Sequence, residues 1–376
     1  MDFNLTDTQR MLEDTATRLV RERYGFEDRK KILASADGFS RELWAIFAEL
    51  GLLGIEIAEE YGGIGGAFQD TAIVLEAFGR GLVVEPYLAT VVLGGGIVAL
   101  AGSDAQKQEI LPKMVEGQLF LALAHGEPKS RYTLNHVETK ATKTAEGYRL
   151  DGAKAVVLGG DCADLFIVSA RCSGRPLDRT GISLFLVPRD AKGLEIRGYP
   201  NVDGTRAAEL TLTDVAVPAS ALLGPEGGAF PFIEHAIDRG IAALCAEAVG
   251  VMAALNEVTL DYLKTRTQFG TPIGAFQVLQ HRMVDMVVAQ EQASAIALLA
   301  ADRANDPNPA ERRKPISGAK VQIGRSGHLI GQDSVQMHGG IGITMEYIGG
   351  HYFKRLTMID RLFGDADHHL ARFADA

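Results

Sequence analysis

The chain has 376 residues, of which 47% are hydrophobic and 23% charged, and a formal net charge of −10. Such a length implies two or three globular domains, and the composition excludes disordered and collagen-like chains. The acidic balance argues against a nucleic-acid partner, and three cysteines, Cys162, Cys172 and Cys245, cannot build a disulfide framework or a zinc site.

The start, MDFNLTDTQR, is too polar for a signal peptide, so a reducing cytoplasm is the expected compartment. Residues 1–119 read as an N-terminal helical domain. Thr6 and Gln9 have capping-box spacing, and Met11, Leu12, Leu19 and Val20 follow at helical intervals. A second helix is expected from Ser40, with Leu43, Ile46, Phe47 and Leu50 on one face. A glycine-rich loop covers 59–66, and DTAIVLEAFGRG reads as a third helix. Residues 86–103 carry no charge. No basic cluster flanks them and no second span is expected, so they read as a buried helix rather than a membrane span. Gly94-x-Gly96-x-x-Ala99 inside them matches a dinucleotide fingerprint in form, but no strand precedes it. Ser103 and Gln106 set a second capping box.

From 120 to 226 the pattern is that of a middle antiparallel β domain. GYRLDGAKAVVLGG, ADLFIVSAR, GISLFLVP and AAELTLTDVAVP are β-branched or alternating runs separated by Gly, Pro and Asp. From 227 to 376 helices return. One covers 229–264, and the next has apolar positions at 278, 279, 283, 287 and 288. Asn305 to Pro309 breaks the chain, a third helix follows, and a fourth begins near 350. The fold class expected is α+β, with a C-terminal four-helix bundle.

Two segments carry chemistry. RTQFGTPIGAFQ, 266–277, joins a helix end to a Gly/Pro turn, and Arg266 is suited to grip a phosphate with two parallel hydrogen bonds. The same segment also reads as a plain helix connector. QMHGGIGITMEY, 336–347, contains adjacent glycines that let backbone N–H groups approach a diphosphate, and also reads as a helix end with its loop. Metal is not expected. His368 and His369 are neighbours and point about 100° apart on a helix, His338 stands alone, and no HExxH occurs. A serine hydrolase is not expected without a G-x-S-x-G elbow.

The α–β–α order, Arg266-x-x-Phe269-Gly270 with Phe276-Gln277, and Gln336-x-x-Gly339-Gly340-x-Gly342-x-x-x-Glu346 together resemble the acyl-CoA dehydrogenase family over essentially the whole chain. Within the family, YLKTRTQFG, AKVQIGRSG and HYFKRLTMIDRLFGDADHH are similar to the small subunits of pimeloyl-CoA dehydrogenases. The resemblance implies FAD, an acyl-CoA substrate that loses an α proton and a β hydride, and an electron-transfer flavoprotein as acceptor. It implies a homo- or heterotetramer with FAD at a chain interface. Arg266, Gln268, Phe269, Phe276, Gln277, Gln336, Gly339, Gly340, Asp365 and Asp367 would then contact the cofactor from one chain.

This sequence departs from the family at three places. The ring-contacting Tyr-x-Val-Thr-Glu-Pro-Gly-x-Gly-Ser-Asp segment falls on Leu123 to Thr133, where only Glu127-Pro128 is kept. Its Val and Thr fall on His125 and Gly126. The Trp-Ile-Thr that backs the ring falls on Val156, Val157 and Leu158. The usual catalytic Glu falls on Phe363, and the alternative position used by some relatives falls on Gly240. Glu234, Asp238 and Asp365 are the nearest acids that could act as a displaced base. The favoured expectation is one subunit of a hetero-oligomer whose partner supplies the Glu. The alternatives are a homotetramer with a displaced base, a flavin monooxygenase, and a non-catalytic acyl-CoA-binding protein. The acyl chain expected by resemblance is dicarboxylic, aromatic-derived or a steroid side chain.

Overall fold

A computed structural model describes residues 5–375. In chain order the helices are α1 (Asp7–Arg23), α2 (Phe26–Leu33), α3 (Arg41–Glu49), α4 (Phe68–Gly81), a π-helical turn (Leu88–Gly95) that continues as α5 (Gly96–Ala101), and α6 (Asp104–Val115). Strands β1 (Leu121–Ala124), β2 (Lys140–Lys143), β3 (Gly147–Leu158), β4 (Leu165–Arg171), β5 (Ile182–Pro188), β6 (Leu194–Pro200), β7 (Arg206–Pro218) and β8 (Leu222–Leu223) follow. Then come α7 (Phe230–Thr265), the short strands β9 (Thr267–Gln268) and β10 (Thr271–Pro272), α8 (Gln277–Arg303), α9 (Pro309–His338), α10 (Ile348–Arg361) and α11 (Ala366–Ala374). Both capping boxes form: Thr6 with Gln9 opens α1, and Ser103 with Gln106 opens α6.

Packing divides the chain into two compact units, so the stretch 1–119 is shared between them. One comprises residues 1–31, 68–83 and 241–376; the other comprises 32–67 and 84–240. In the first unit α4 crosses α7 backbone to backbone. A Cβ on Gly79 would lie 2.0 Å from the Glu247 carbonyl oxygen, and one on Gly250 would lie 1.9 Å from that of Glu76. Only glycine permits this approach. The buried Arg355 of α10 grips Glu247 of α7 through two bonds of 2.6 Å. α9 packs against α8, α10 and α11. The tail beyond 350 is two helices, not one, because the chain turns at Leu362–Asp365, where Phe363 and Gly364 have φ of 59° and 116°.

α8 leaves much of its apolar surface uncovered in this chain. Met283 is buried, but Val278, Val284, Val287 and Val288 of the same helix face outward. Among the described residues two helices are apolar and long enough to cross a membrane, α7 and α8, whereas the neutral stretch forms only a shorter helix. The most apolar window of α7 is 89% buried in the protein, so packing accounts for it, whereas that of α8 is only 33% buried.

In the second unit the sheet runs β6-β7-β3-β2-β4-β5-β8, with β1 beside β4. It is mixed rather than purely antiparallel, since β1 and β2 both pair parallel with β4. Its core is built from Tyr148, Leu150, Phe166, Phe185 and Leu210. On α3 the buried residues are Leu43, Trp44 and Phe47. Leu50 is exposed and Trp44 takes its place, stacking on Phe120 at 5.1 Å. Gly94 and Gly95 lie inside the π-helical turn and make room for Leu121 and Met114, so the fingerprint-like spacing serves packing.

Candidate functional site

In the first unit, β9 and β10 form a tight hairpin whose tip, Phe269-Gly270, has φ of 54° and 78°. Positive φ at both central residues is the geometry that lets a two-residue turn follow the strand twist. Arg266 closes its base: its N–H donates to Tyr262 O at 2.8 Å and its carbonyl accepts from Ile273 N–H at 2.8 Å. The Arg266 side chain is exposed and, among the described residues, makes no hydrogen bond or ion pair. Phe269 is 93% exposed, and its ring stands 6.1 Å from that of Phe276. Gln268 is exposed and its side chain donates to Thr267 O, and Gln277 is exposed at the first turn of α8.

Gly339 ends α9 with φ of 65°, and Gln336 is exposed one turn before it. A Cβ built on Gly339, Gly340 or Gly270 would meet nothing within 4 Å. Gly340 also has no positive φ, so nothing in this chain demands a glycine there. Bare backbone facing open space is what close approach of a ligand or a second chain requires. Behind the loop, His338 Nδ1 donates to Ser334 O at 2.8 Å, which leaves Nε2 to accept from the Tyr347 hydroxyl at 2.9 Å. Tyr262 donates to His338 O at 3.3 Å and so ties the loop to the helix that ends at Arg266.

Asp365 and Asp367 stand elsewhere. Asp365 caps α11 by accepting from His368 N–H at 3.0 Å, and it pairs with Arg361 at 3.0 Å. The His368 amide, with help from Arg361, holds its carboxyl below the usual range. The turn carrying Asp365 is pinned by buried Lys320, which donates to the carbonyls of Asp360 and Gly364 at 2.8 and 2.6 Å. Lys320 and Gly339 are separated by most of α9, about 28 Å at 1.5 Å per residue. Phe363 offers no proton acceptor on its side chain, and His369 Nε2 donates to its carbonyl at 3.1 Å.

In the second unit Gly240, Asp238 and Glu234 are all buried on the first half of α7, so neither acid is a surface residue. Here the structure brings both ring-side segments together: Ala155 N–H donates to Gly126 O at 2.8 Å. The register of β3 slips between Lys154 and Val157, leaving Val156 at φ 53° and 51% exposed. Leu158 is half-buried at the end of the strand. Beneath lies a charged group that motif reading passed over. Lys154 is fully buried and donates to Glu127 at 2.7 Å and to Ser169 at 3.0 Å. Burial brings Lys154 down to about 8 against the pull of Glu127, so it stays an ammonium at neutral pH. Burial alone would raise Glu127, but Lys154 and bonds from residues 138–139 hold it low. A signal existed: period-2 alternation in GYRLDGAK puts Lys154 on the inward face with Tyr148 and Leu150.

Two buried histidines make stability depend on pH. Burial, then nearby cations, lower His125 from 6.5 to about 4 and His369 from 6.5 to about 3. The folded value lies below the unfolded one, so each contributes stability at neutral pH that is lost as pH falls through 6.5. Each should add about 1.4 kcal/mol per pH unit to that loss between pH 6 and 4. Urea midpoints measured from pH 7 to 4 should fall, and the fall should be shallower in a His125→Gln/His369→Gln variant. An unchanged slope would assign the acid sensitivity to other groups.

Family models for the acyl-CoA dehydrogenase N-terminal, middle and C-terminal domains match residues 6–118, 122–215 and 228–376. The chain is 31% identical over 358 residues to the probable acyl-CoA dehydrogenase YngJ of Bacillus subtilis (strain 168), covering 92% of each. Among solved structures it matches an FAD complex of PigA with a TM-score of 0.92 at 26% identity, covering 100% of this chain and 98% of that one. It matches a chain of the ChsE4-ChsE5 complex from Mycobacterium tuberculosis with a TM-score of 0.89 at 26% identity, over 100% and 98%.

Proposed function

The chain belongs to the FAD-dependent acyl-CoA dehydrogenase family, and from that premise we propose that it is one of two unlike subunits of an enzyme that desaturates an acyl-CoA thioester, the partner supplying the base. The observation that carries this reading is a contrast within one unit. The Arg266 side chain and the open face of the Gly339-Gly340 turn are presented outward, while the turn expected to carry the base holds Phe363. Asp365 is less well supported as a displaced base, because it is occupied as a helix cap and its lowered pKa makes it a weaker base.

The residues present fit FAD. Arg266 and the bare backbone at Gly339 and Gly340 suit the pyrophosphate, with Gln336, Gln268 and Gln277 as side-chain donors nearby in sequence. His125, Gly126, Val156 and Leu158 offer mainly backbone to the ring. When bound, FAD supplies the hydride acceptor; this chain's residues bind and orient it. Arg266→Ala should remove a charge-assisted contact of about 1.5–3 kcal/mol, lowering FAD affinity about tenfold or more in a fluorescence titration with the partner present. Affinity equal to the parent's would overturn the assignment.

An interface follows from the same reading. Leu260, Leu263, Met283, Val284, Val287 and Val288 line an open apolar groove, continuous on α8 with exposed Val278. Exposed apolar surface of this kind marks an association face. The likeness to a chain of the ChsE4-ChsE5 complex supports an unlike partner, and an electron-transfer flavoprotein is the acceptor we propose. Light scattering should give a tetrameric mass; a stable monomer at micromolar concentration would sink the interface.

A further inference from the structure

We propose that Lys154, Ser169, His125 and Glu127 form a positioning network for the wall that faces the flavin ring, fixing the backbone at Gly126 and Ala155 and holding Val156 in its left-handed conformation. The proposal rests on the FAD reading above.

The centre of this network is a buried ion pair. Lys154 has only donors, and it spends them on Glu127 Oε1 at 2.7 Å, Ser169 Oγ at 3.0 Å and His125 O at 3.4 Å. Ser169 accepts from Lys154 and is bonded to His125 Nδ1 at 2.9 Å, so one hydroxyl links the ammonium to the imidazole. Glu127 in turn accepts from Glu138 N–H at 2.7 Å and Thr139 N–H at 3.0 Å, which ties the loop after Gly126 back to the sheet. A buried ion pair with all members satisfied rigidifies its surroundings.

What it rigidifies is the ring-side backbone. Lys154 holds residues on both sides of Gly126, and Gly126 O accepts from Ala155 N–H, next to Lys154 itself. The following residue, Val156, is β-branched with φ of 53° and half exposed. A β-branched side chain at positive φ is a costly conformation that persists only where its surroundings enforce it. Val156 adds little to the core, so packing of its own side chain does not enforce it. Gly126, Val156 and Leu158 offer no polar side-chain group, so any polar contact from these positions must come from main-chain groups whose placement is kept from below.

The test compares FAD with ADP, which lacks the ring, on the assembled full-length protein. A Lys154→Met/Glu127→Gln variant removes both charges together, and Ser169→Ala removes the hydroxyl that Lys154 and His125 share. The first should weaken FAD about tenfold and the second about threefold, with ADP affinity within about twofold of the parent. The visible band of bound flavin should lose its vibrational structure. FAD affinity unchanged in both variants, or FAD and ADP lost in parallel, would overturn the positioning role. If the double variant does not fold, Ser169→Ala decides alone. Arg266→Ala keeps the two levels apart. If neither FAD nor ADP responds to Arg266, the cofactor assignment has failed. A normal Arg266 response with no ring-selective loss means that only the network has.

Discussion

Phe363→Glu should accelerate α-proton loss from an acyl-CoA on the isolated chain by ~10²–10⁴-fold, the usual worth of a positioned general base. The α-proton of a thioester is weakly acidic, and a phenyl ring cannot accept it. The backbone at 363 is already held for a different side chain: Lys320 grips Gly364 O at 2.6 Å and His369 grips Phe363 O at 3.1 Å. Phe363 itself sits at φ 59°, so replacing one non-glycine residue by another adds little strain. The parent chain should be slow for the same reason. Asp365 lies two residues on, but His368 N–H and Arg361 occupy its carboxylate. Deuterium exchange at the α carbon, followed by anaerobic flavin bleaching with a panel of acyl-CoAs, measures both steps. Fast exchange by the parent, abolished by Asp365→Asn, would make Asp365 the base and end the partner-subunit reading. No gain in Phe363→Glu with cofactor bound would mean that the base belongs at another position.

Local rules read this sequence well where the signal is local. Thr6, Ser40 and Ser103 cap the helices they precede, because a side-chain oxygen before an apolar stripe satisfies the same amide wherever it occurs. The turn in RTQFG and the helix end at Gly339 are legible from glycine and spacing, whereas the strand pairing around Phe269-Gly270 is not. The slip that turns Val156 outward is not legible either, since alternation along β3 continues through it and only the pairing with β7 shows the break. Helical periodicity marks Val278, Val287 and Val288 of α8 as apolar positions, but it cannot distinguish a core from a face left for another chain. Nothing local in the sequence sets Lys320 apart from other helix lysines. Its burial depends on α10 and α11 returning over α9 from 40 residues away, with the Asp360 and Gly364 carbonyls as acceptors.

Arg355→Met should cost ~3–5 kcal/mol in urea unfolding, because it leaves Glu247 buried without its counter-ion. The pair joins α7 to α10 at two bonds of 2.6 Å, and both side chains are only 8% exposed. Arg80–Glu257, at 2.9 Å, looks similar by distance. Its side chains are 38% and 65% exposed, so solvent screens it and its removal should cost ~1 kcal/mol or less. Burial, not bond length, decides between the two. Much of the loss in Arg355→Met is the desolvated carboxylate rather than the missing bonds, so the double variant Arg355→Met/Glu247→Gln should be more stable than Arg355→Met alone. Because Glu247 O also faces Gly79 at the α4–α7 crossing, a stranded carboxylate on that turn cannot reach water without moving helix backbone. A double variant no more stable than Arg355→Met would mean that the arginine acts by packing its stem, with its charge of little consequence.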